Sequence, residues 1–149
     1  MDVLELLTQE HREVEQLVAD LEVAETVHDR ELILVDIGEA LAKHMDVEEQ
    51  RVYPIIEQRL DSGERRLLQD DHDATRRDLA VMVDATESDD FLAAVAHFKA
   101  GLTRHVAREE RDLFPWLEQN AAEVIDGLGD AAHVEDEVQE ELTDETLVR

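Results

Sequence analysis

The feature of the sequence that most restricts its fold is an internal repeat of 61 residues. Each of two histidines in the first half has a counterpart 61 positions later, His11 in His72 and His44 in His105. Two such copies account for most of the 149-residue chain. The copies should therefore fold alike and pack on each other as one unit.

Each copy contains two segments with the spacing of an amphipathic helix, in which core-facing positions recur at steps of three and four. With only 5 glycines and 2 prolines, the chain is poorly suited to the many turns of a β-sandwich. We predict an all-α protein, an antiparallel up-down-up-down four-helix bundle of two pseudo-repeated helical hairpins. The row of core-facing residues on each predicted helix is called its seam. The four seams are Leu4, Leu7, His11, Val14, Val18 and Leu21; Leu34, Ile37, Leu41, His44 and Glu48; Leu68, His72, Thr75, Leu79 and Met82; and Val95, Phe98, Leu102, His105 and Glu109.

The domain boundaries follow from the end of the repeat. Residues 1–119 are predicted to form the bundle, and residues 120–149 an acidic C-terminal extension that is helical or disordered. Apolar residues soon after position 120 indicate a short docking segment, and the acidic stretch that follows predicts a frayed tail. Pro54 and Pro115 occupy matching positions in the two copies and should kink or end their helices at matching heights.

The charge of the chain excludes several partners. Asp and Glu number 40 against 14 Lys and Arg, a net charge of −26, so nucleic acid and anionic membranes would be repelled. The sequence begins without the features of a secretory signal and has no long apolar run, and we expect a cytoplasmic protein. Because the chain has no cysteine, any nitrogen or sulfur ligation of a metal depends on histidine.

Histidines and glutamates at core positions predict a metal site. In the second helix of each copy a seam histidine is followed four residues later by a glutamate, so the two side chains share one face. Burying such carboxylates among apolar residues costs several kcal/mol or more unless a cation compensates them. Imidazole and carboxylate together suit iron, manganese or zinc, and two symmetrically placed glutamates could bridge two ions. The predicted ligands are His11, His44, Glu48, His72, His105 and Glu109.

The chain resembles the hemerythrin-like proteins, also called the HHE cation-binding domain. The resemblance rests on these six residues in this order and on Tyr53-Pro54 and Phe114-Pro115, which follow the two His-Glu pairs. The resemblance covers residues 1 to 119. It implies two iron ions, oxo- or hydroxo-bridged, for which zinc or manganese could substitute. It further implies that both glutamates bridge the irons, with His11 and His44 on one iron and His72 and His105 on the other.

The family includes reversible oxygen carriers and sensors, iron-handling proteins and proteins that act on peroxide or nitric oxide. The resemblance therefore implies O₂, peroxide or nitric oxide as the small ligand, or iron itself as the cargo. The residues assign no catalytic group and no organic cofactor site. Turnover, and binding or sensing without turnover, both stay open.

One position departs from the oxygen carriers of this family, which have a further histidine one turn after the histidine of the third helix. This sequence has Arg76 there, and a guanidinium cannot ligate a metal because it has only donors. The matching position on the first helix is Glu15. Two interpretations stay open: Glu15 is an additional metal ligand, or Glu15 and Arg76 form an ion pair at the rim of the bundle.

The remaining candidates are assigned to packing or to the surface. Glu49 and Glu110 lie about 100° from the ligand face of their helices and are expected in solvent. Core packing is favoured for Tyr53 and Phe114, and the lesser alternative is that the Tyr53 phenol binds the metal or contacts a metal ligand. The histidines expected to be ordinary surface or packing residues are His28, His97 and His133.

Two functions from different classes follow. The first is a di-iron protein that handles O₂, peroxide, nitric oxide or iron at the buried ring. The second is a non-enzymatic module in which metal only stabilises the bundle and the acidic surface or tail binds a basic partner. Reactivity of the metal site would distinguish them.

Overall fold

The computed structural model describes residues 1–148, which form helices and contain no strand. The predicted all-α bundle is confirmed. The α-helices are α1 (Val3–Val23), α2 (Val27–Val47), α3 (Tyr53–Arg59), α4 (Ser62–Asp84), α5 (Phe91–Arg108), α6 (Phe114–Asn120), α7 (Ala122–Gly127) and α8 (Ala131–Val148). Two π-helical segments continue the chain between α-helices, Glu48–Val52 from α2 to α3 and Glu109–Leu113 from α5 to α6.

The four long helices of the repeat pack side by side in a ring. Helix α1 contacts α2 and α5, and α4 contacts α5 and α2. Leu7 near the start of α1 packs in one apolar cluster with Val47 at the end of α2, whereas Leu21 near the end of α1 packs in another with Leu34 near the start of α2. The two helices therefore run in opposite directions.

Polar side chains fix where the helices begin. Asp2 caps α1 by accepting a hydrogen bond from the backbone N–H of Glu5 at 2.9 Å, and the Glu5 carboxylate accepts one from the Asp2 N–H at 3.1 Å. Thr26 and Asp61 cap α2 and α4 in the same way. Helices α1, α2 and α4 thus start at sequence-encoded positions, which helps to fix the heights of His11, His44 and His72 in the bundle.

The apolar core is divided into two clusters. The lower cluster contains Leu7 on α1 and Leu68 on α4, and the upper cluster contains Val14 and Met82 on the same two helices. On each helix the seam histidine lies between residues of the two clusters, for example His11 between Leu7 and Val14. A polar layer therefore crosses the middle of the bundle.

The two prolines coincide with a change of helix type. The backbone N–H of Tyr53 donates to the carbonyl of Glu48, five residues earlier, and the N–H of Phe114 donates to that of Glu109. Pro54 and Pro115 follow directly in the first turns of α3 and α6, and neither has an N–H for an α-helical bond. The predicted disruptions at matching heights are thus π turns through which the helix continues.

The C-terminal extension packs on the bundle as a helix. Ala131, Val134 and Val138 are buried, the two valines in the same cluster as Leu7. Arg51 lies 2.7 Å from Glu141, and Lys43 pairs with Glu135. The structure differs here from the predicted frayed tail, because apolar residues at helical spacing give the acidic segment a narrow stripe to bury.

Among the described helices, none is both long enough and apolar enough to cross a membrane.

We expect Val138→Ala to destabilise the whole protein, because its side chain is part of the lower cluster. The loss should be about 2 kcal/mol, from about 0.8 kcal/mol per buried methylene plus a cavity term. Urea unfolding measures it, with exposed Glu140→Ala on the same helix as the control. A Val138→Ala protein as stable as the control would mean that α8 is not part of the cooperative unit.

Candidate metal centre

All six predicted ligands lie in the polar layer. Each histidine comes from one long helix, and each glutamate is the first residue of a π segment. Both glutamates have 0% exposed surface, and all four histidines are buried. The residues are His11 on α1, His44 on α2, His72 on α4 and His105 on α5, with Glu48 and Glu109.

The ligand atoms form two overlapping groups, and within each group they lie within 4.8 Å of one another. One group contains His11 and His44 with both glutamates, and the other contains His72 and His105 with the same two glutamates. Each glutamate therefore belongs to both groups. This is the arrangement in which two carboxylates can bridge two metal ions.

Short distances connect each glutamate to histidines of both groups. Oε1 of Glu48 lies 2.7 Å from Nε2 of His44 and 3.4 Å from Nε2 of His72. Oε1 of Glu109 lies 3.0 Å from Nε2 of His11 and 3.0 Å from Nε2 of His105. The Nε2 atoms thus converge on the carboxylates at the centre of the bundle.

Several of these atoms have no hydrogen-bond partner among the described residues. They are buried, and although they approach one another closely they are not aligned for hydrogen bonding. Leaving buried polar atoms unpaired costs about 1–3 kcal/mol each, and bound cations would satisfy all of them except Nδ1 of His105, which faces Asp71. The donor set therefore fits a borderline divalent metal. The atoms are Nε2 of His44, both carboxylate oxygens of Glu48 and both ring nitrogens of His105.

A second layer of carboxylates surrounds the histidines. Each Nδ1 faces an acidic side chain from a neighbouring helix or π segment. An Nδ1–H that donates to a carboxylate fixes the ring so that Nε2 points to the centre, and it raises the basicity of Nε2. Three pairs are at hydrogen-bond distance, 2.6 Å for His11–Glu110, 3.2 Å for His44–Glu10 and 2.8 Å for His72–Glu49. His105 and Asp71 are 3.7 Å apart, which is too far for a hydrogen bond.

The expectation that Glu49 and Glu110 lie in solvent is wrong. A side chain about 100° from the bundle axis faces the adjacent helix, and a glutamate is long enough to reach the histidine there. Sequence reasoning also missed Glu10 and Asp71, each directly before a seam histidine. The available signal was the repeat, because both pairs of acids are matched at a distance of 61 residues.

Tyr53 also faces the centre. Its side chain is fully buried, and its hydroxyl lies 2.8 Å from Nε2 of His72 and 3.5 Å from Oε2 of Glu109. Burial raises the pKa of Tyr53 well above its ordinary value, so the phenol holds its proton. Phe114, the matching residue, stacks on His11 with 6.0 Å between ring centroids. Core packing describes Phe114, whereas Tyr53 adds a hydroxyl to the centre.

The structure does not bring Glu15 to the ligand groups. Its carboxylate pairs with Arg12 at 2.6 Å and is 44% exposed. Arg76 pairs with Glu49 at 2.6 Å and with Asp73 at 3.3 Å. The contacts therefore support neither a ligand role for Glu15 nor an ion pair between Glu15 and Arg76, because a nearer partner holds each of them.

The three remaining histidines lie on the surface, as expected. His28 is exposed, His97 pairs with Asp78 and His133 pairs with Glu137.

The charges within the cluster compensate one another when no cation is bound. Burial, the largest influence, lowers the pKa of His44, but Glu48 and Glu10 outweigh it and raise the pKa to about 9. Burial also opposes a charge on His72, yet Glu48 and Glu49 raise its pKa. His44 in turn lowers the pKa of Glu48 although burial raises it. The positive charge of the His44 imidazolium thus offsets the buried charge of Glu48.

A small enclosed cavity adjoins the cluster on the side of the upper apolar cluster. Its volume of about 10 Å³ is close to the minimum that holds one water molecule. Besides three of the histidines, its lining is mostly apolar, formed by Val14, Leu41, Met45 and Leu102 with Glu10 and Thr75.

Comparison with known families agrees with this geometry. The chain matches the family model of the hemerythrin HHE cation binding domain over residues 2–117, and again over residues 63–147. The chain belongs to this family. The second match begins 61 residues after the first, which is the period of the repeat. No curated protein and no solved structure is significantly similar to this hemerythrin-family chain.

Metal uptake by this hemerythrin-family protein should release protons. His44, with a pKa of about 9, holds a proton near neutral pH, and an imidazole that binds metal through its lone pair must give that proton up. The apparent affinity for Zn²⁺ should therefore rise as the pH rises towards about 9, by about tenfold per pH unit for each proton displaced. Chelator competition measures it, and an affinity independent of pH would contradict the prediction.

Glu15→Ala should leave metal stoichiometry and the optical spectrum unchanged, because the Glu15 carboxylate points to Arg12 and not to the ligand groups. Metal analysis of the variant beside the wild type tests this. Loss of a metal ion or a shifted spectrum would restore Glu15 as a ligand.

Proposed function

We propose that this hemerythrin HHE domain binds two iron ions in the polar layer and uses them to bind or convert a small molecule, O₂, peroxide or nitric oxide. The observation that carries the proposal is the sharing of both buried glutamates between two ligand groups. The unpartnered Nε2 atoms of His44 and His105 and the unpartnered carboxylate of Glu48 support it further, because bound cations would satisfy these atoms.

The residues have distinct roles in this proposal. Glu48 and Glu109 would bridge the two ions, with His11 and His44 on one and His72 and His105 on the other. Iron held in this way supplies reversible oxidation and reduction and an affinity for small diatomic ligands. Glu110, Glu10 and Glu49 would hold the imidazoles of His11, His44 and His72 with the proton at Nδ1 and the lone pair at Nε2 directed inwards.

The surroundings of the site restrict what can reach it. Val14, Leu41 and Leu102 give the cavity side a largely apolar lining, and the small volume admits only a molecule of a few atoms. On the side of the lower cluster, the Tyr53 hydroxyl stands at hydrogen-bond distance from Nε2 of His72 and keeps its proton. The site therefore combines an apolar wall with a single phenolic donor.

A second candidate function is a metal-stabilised interaction module without turnover. The position of the polar layer between the two apolar clusters favours it, because a metal there would join the two halves of the core. The acidic surface would then meet a basic partner.

Metal content per chain, with the visible spectrum before and after anaerobic reduction and exposure to air, tests the proposal. We expect two irons per chain and an absorption band that disappears on reduction and returns in air. Glu48→Gln should lose at least one iron, since it weakens both ligand groups, whereas exposed Glu13→Gln should keep both.

Other outcomes would overturn this function. A protein that holds one zinc or no metal after anaerobic iron loading does not contain the proposed centre. An iron site inert to O₂, peroxide and nitric oxide, in a protein that unfolds when the metal is removed, would establish the structural module instead.

A further inference from the structure

Two arginines continue the chains of contacts that lead outward from the centre. Arg76 Nη2 lies 2.6 Å from Oε2 of Glu49, and that same oxygen lies 2.8 Å from Nδ1 of His72. Arg12 pairs with Oε1 of Glu110, whose Oε2 lies 2.6 Å from Nδ1 of His11. Both chains thus run from an exposed guanidinium through a half-buried carboxylate to a buried imidazole.

The two arginines are not at matching positions of the repeat. The counterpart of Arg12 is Asp73, and the counterpart of Arg76 is Glu15. In the first copy Arg12 pairs with Glu15, and in the second Arg76 pairs with Asp73. Each copy thus has one ion pair at these two positions, but the acid and the base have exchanged places. A guanidinium nevertheless reaches the matched carboxylate in both copies.

We propose that Arg12 and Arg76 are positioning residues that set metal affinity through Glu110 and Glu49. Each guanidinium holds a carboxylate in the orientation in which it accepts the Nδ1–H of a metal-binding histidine. This inference rests on the proposed metal-binding function and gives a role to Arg76, the position where the oxygen carriers of the family have a further histidine.

Glu49 and Glu110 need an arginine partner because a glutamate side chain is long, flexible and negatively charged. Unpaired, a glutamate on an acidic surface samples several rotamers and is repelled by neighbouring acids. A guanidinium offers several donors in a planar fork and can hold a carboxylate while the other contacts remain in place. At Glu49 the other oxygen also accepts a hydrogen bond from Gln69 at 3.0 Å, which leaves Oε2 for Arg76 and His72.

The test is the affinity of the full-length protein for Co²⁺, followed by the visible spectrum of the bound ion. Arg76→Gln should weaken binding by about tenfold, the lower end of the range for groups that orient metal ligands. The matched control is Arg77→Gln, the same change at the next, exposed residue of α4, which should leave affinity unchanged. Circular dichroism verifies that each variant is folded.

Two further comparisons distinguish a positioning role of Arg76 from a general effect on the structure. In a Glu49→Gln background, Arg76→Gln should cause no additional loss, because the arginine acts through that carboxylate. The exchange Asp73→Arg with Arg76→Glu reproduces the arrangement of the first copy and should restore the affinity that Arg76→Glu alone removes.

The outcomes are distinguishable. Equal affinities for Arg76→Gln and Arg77→Gln, or losses that add in full for Arg76→Gln and Glu49→Gln, would overturn the positioning role while the metal site stands. Failure of the charge exchange to restore affinity in a folded protein would overturn it as well. A wild-type protein that binds no Co²⁺ would overturn the proposed metal function and this inference with it.

Discussion

The burial of Glu48 and Glu109 in the middle of an apolar bundle is the constraint on which the rest of the structure depends. Carboxylates without exposed surface persist only when charge and hydrogen bonds compensate them. Imidazoles surround these two glutamates, carboxylates surround the imidazoles, and arginines contact three of these outer carboxylates. Acceptors and donors therefore alternate outward from the centre: a glutamate, a histidine, an outer carboxylate and an arginine at the surface.

This alternation explains how a chain with so strong an acidic excess uses its few basic residues. With 14 Lys and Arg against 40 Asp and Glu, the acidic residues far outnumber the basic residues that could pair with them. Arg12, Arg76 and Arg108 nevertheless contact the carboxylates behind three of the four histidines, and Arg51 and Lys43 contact α8. Three arginines thus hold carboxylates around the polar layer, and Arg51 and Lys43 hold the docked helix.

The sequence predicted the bundle and the six inner residues because both depend on periodicity. Steps of three and four place His11 or His105 in a seam, and the repeat shows that the seams are matched. Periodicity could not predict the carboxylates and arginines around the histidines. Glu49 and Glu10 lie beside the seams, where a helical projection cannot tell solvent from a neighbouring helix. Arg76 shows the same limit, because its partner Glu49 is 27 positions away in the chain and on another helix.

The π segments have a geometric consequence for the two long helical rods that contain them. A π turn takes up about one residue more than an α turn, so every later side chain is rotated by about 100° relative to an uninterrupted α-helix. Tyr53 follows His44 by nine positions and would lie about 180° from it on such a helix; the extra residue brings it to about 80°. The π turn therefore changes the direction of the side chains that follow it. As a result, the His44 and Glu48 side chains before the turn and the Tyr53 ring after it all point to the same centre.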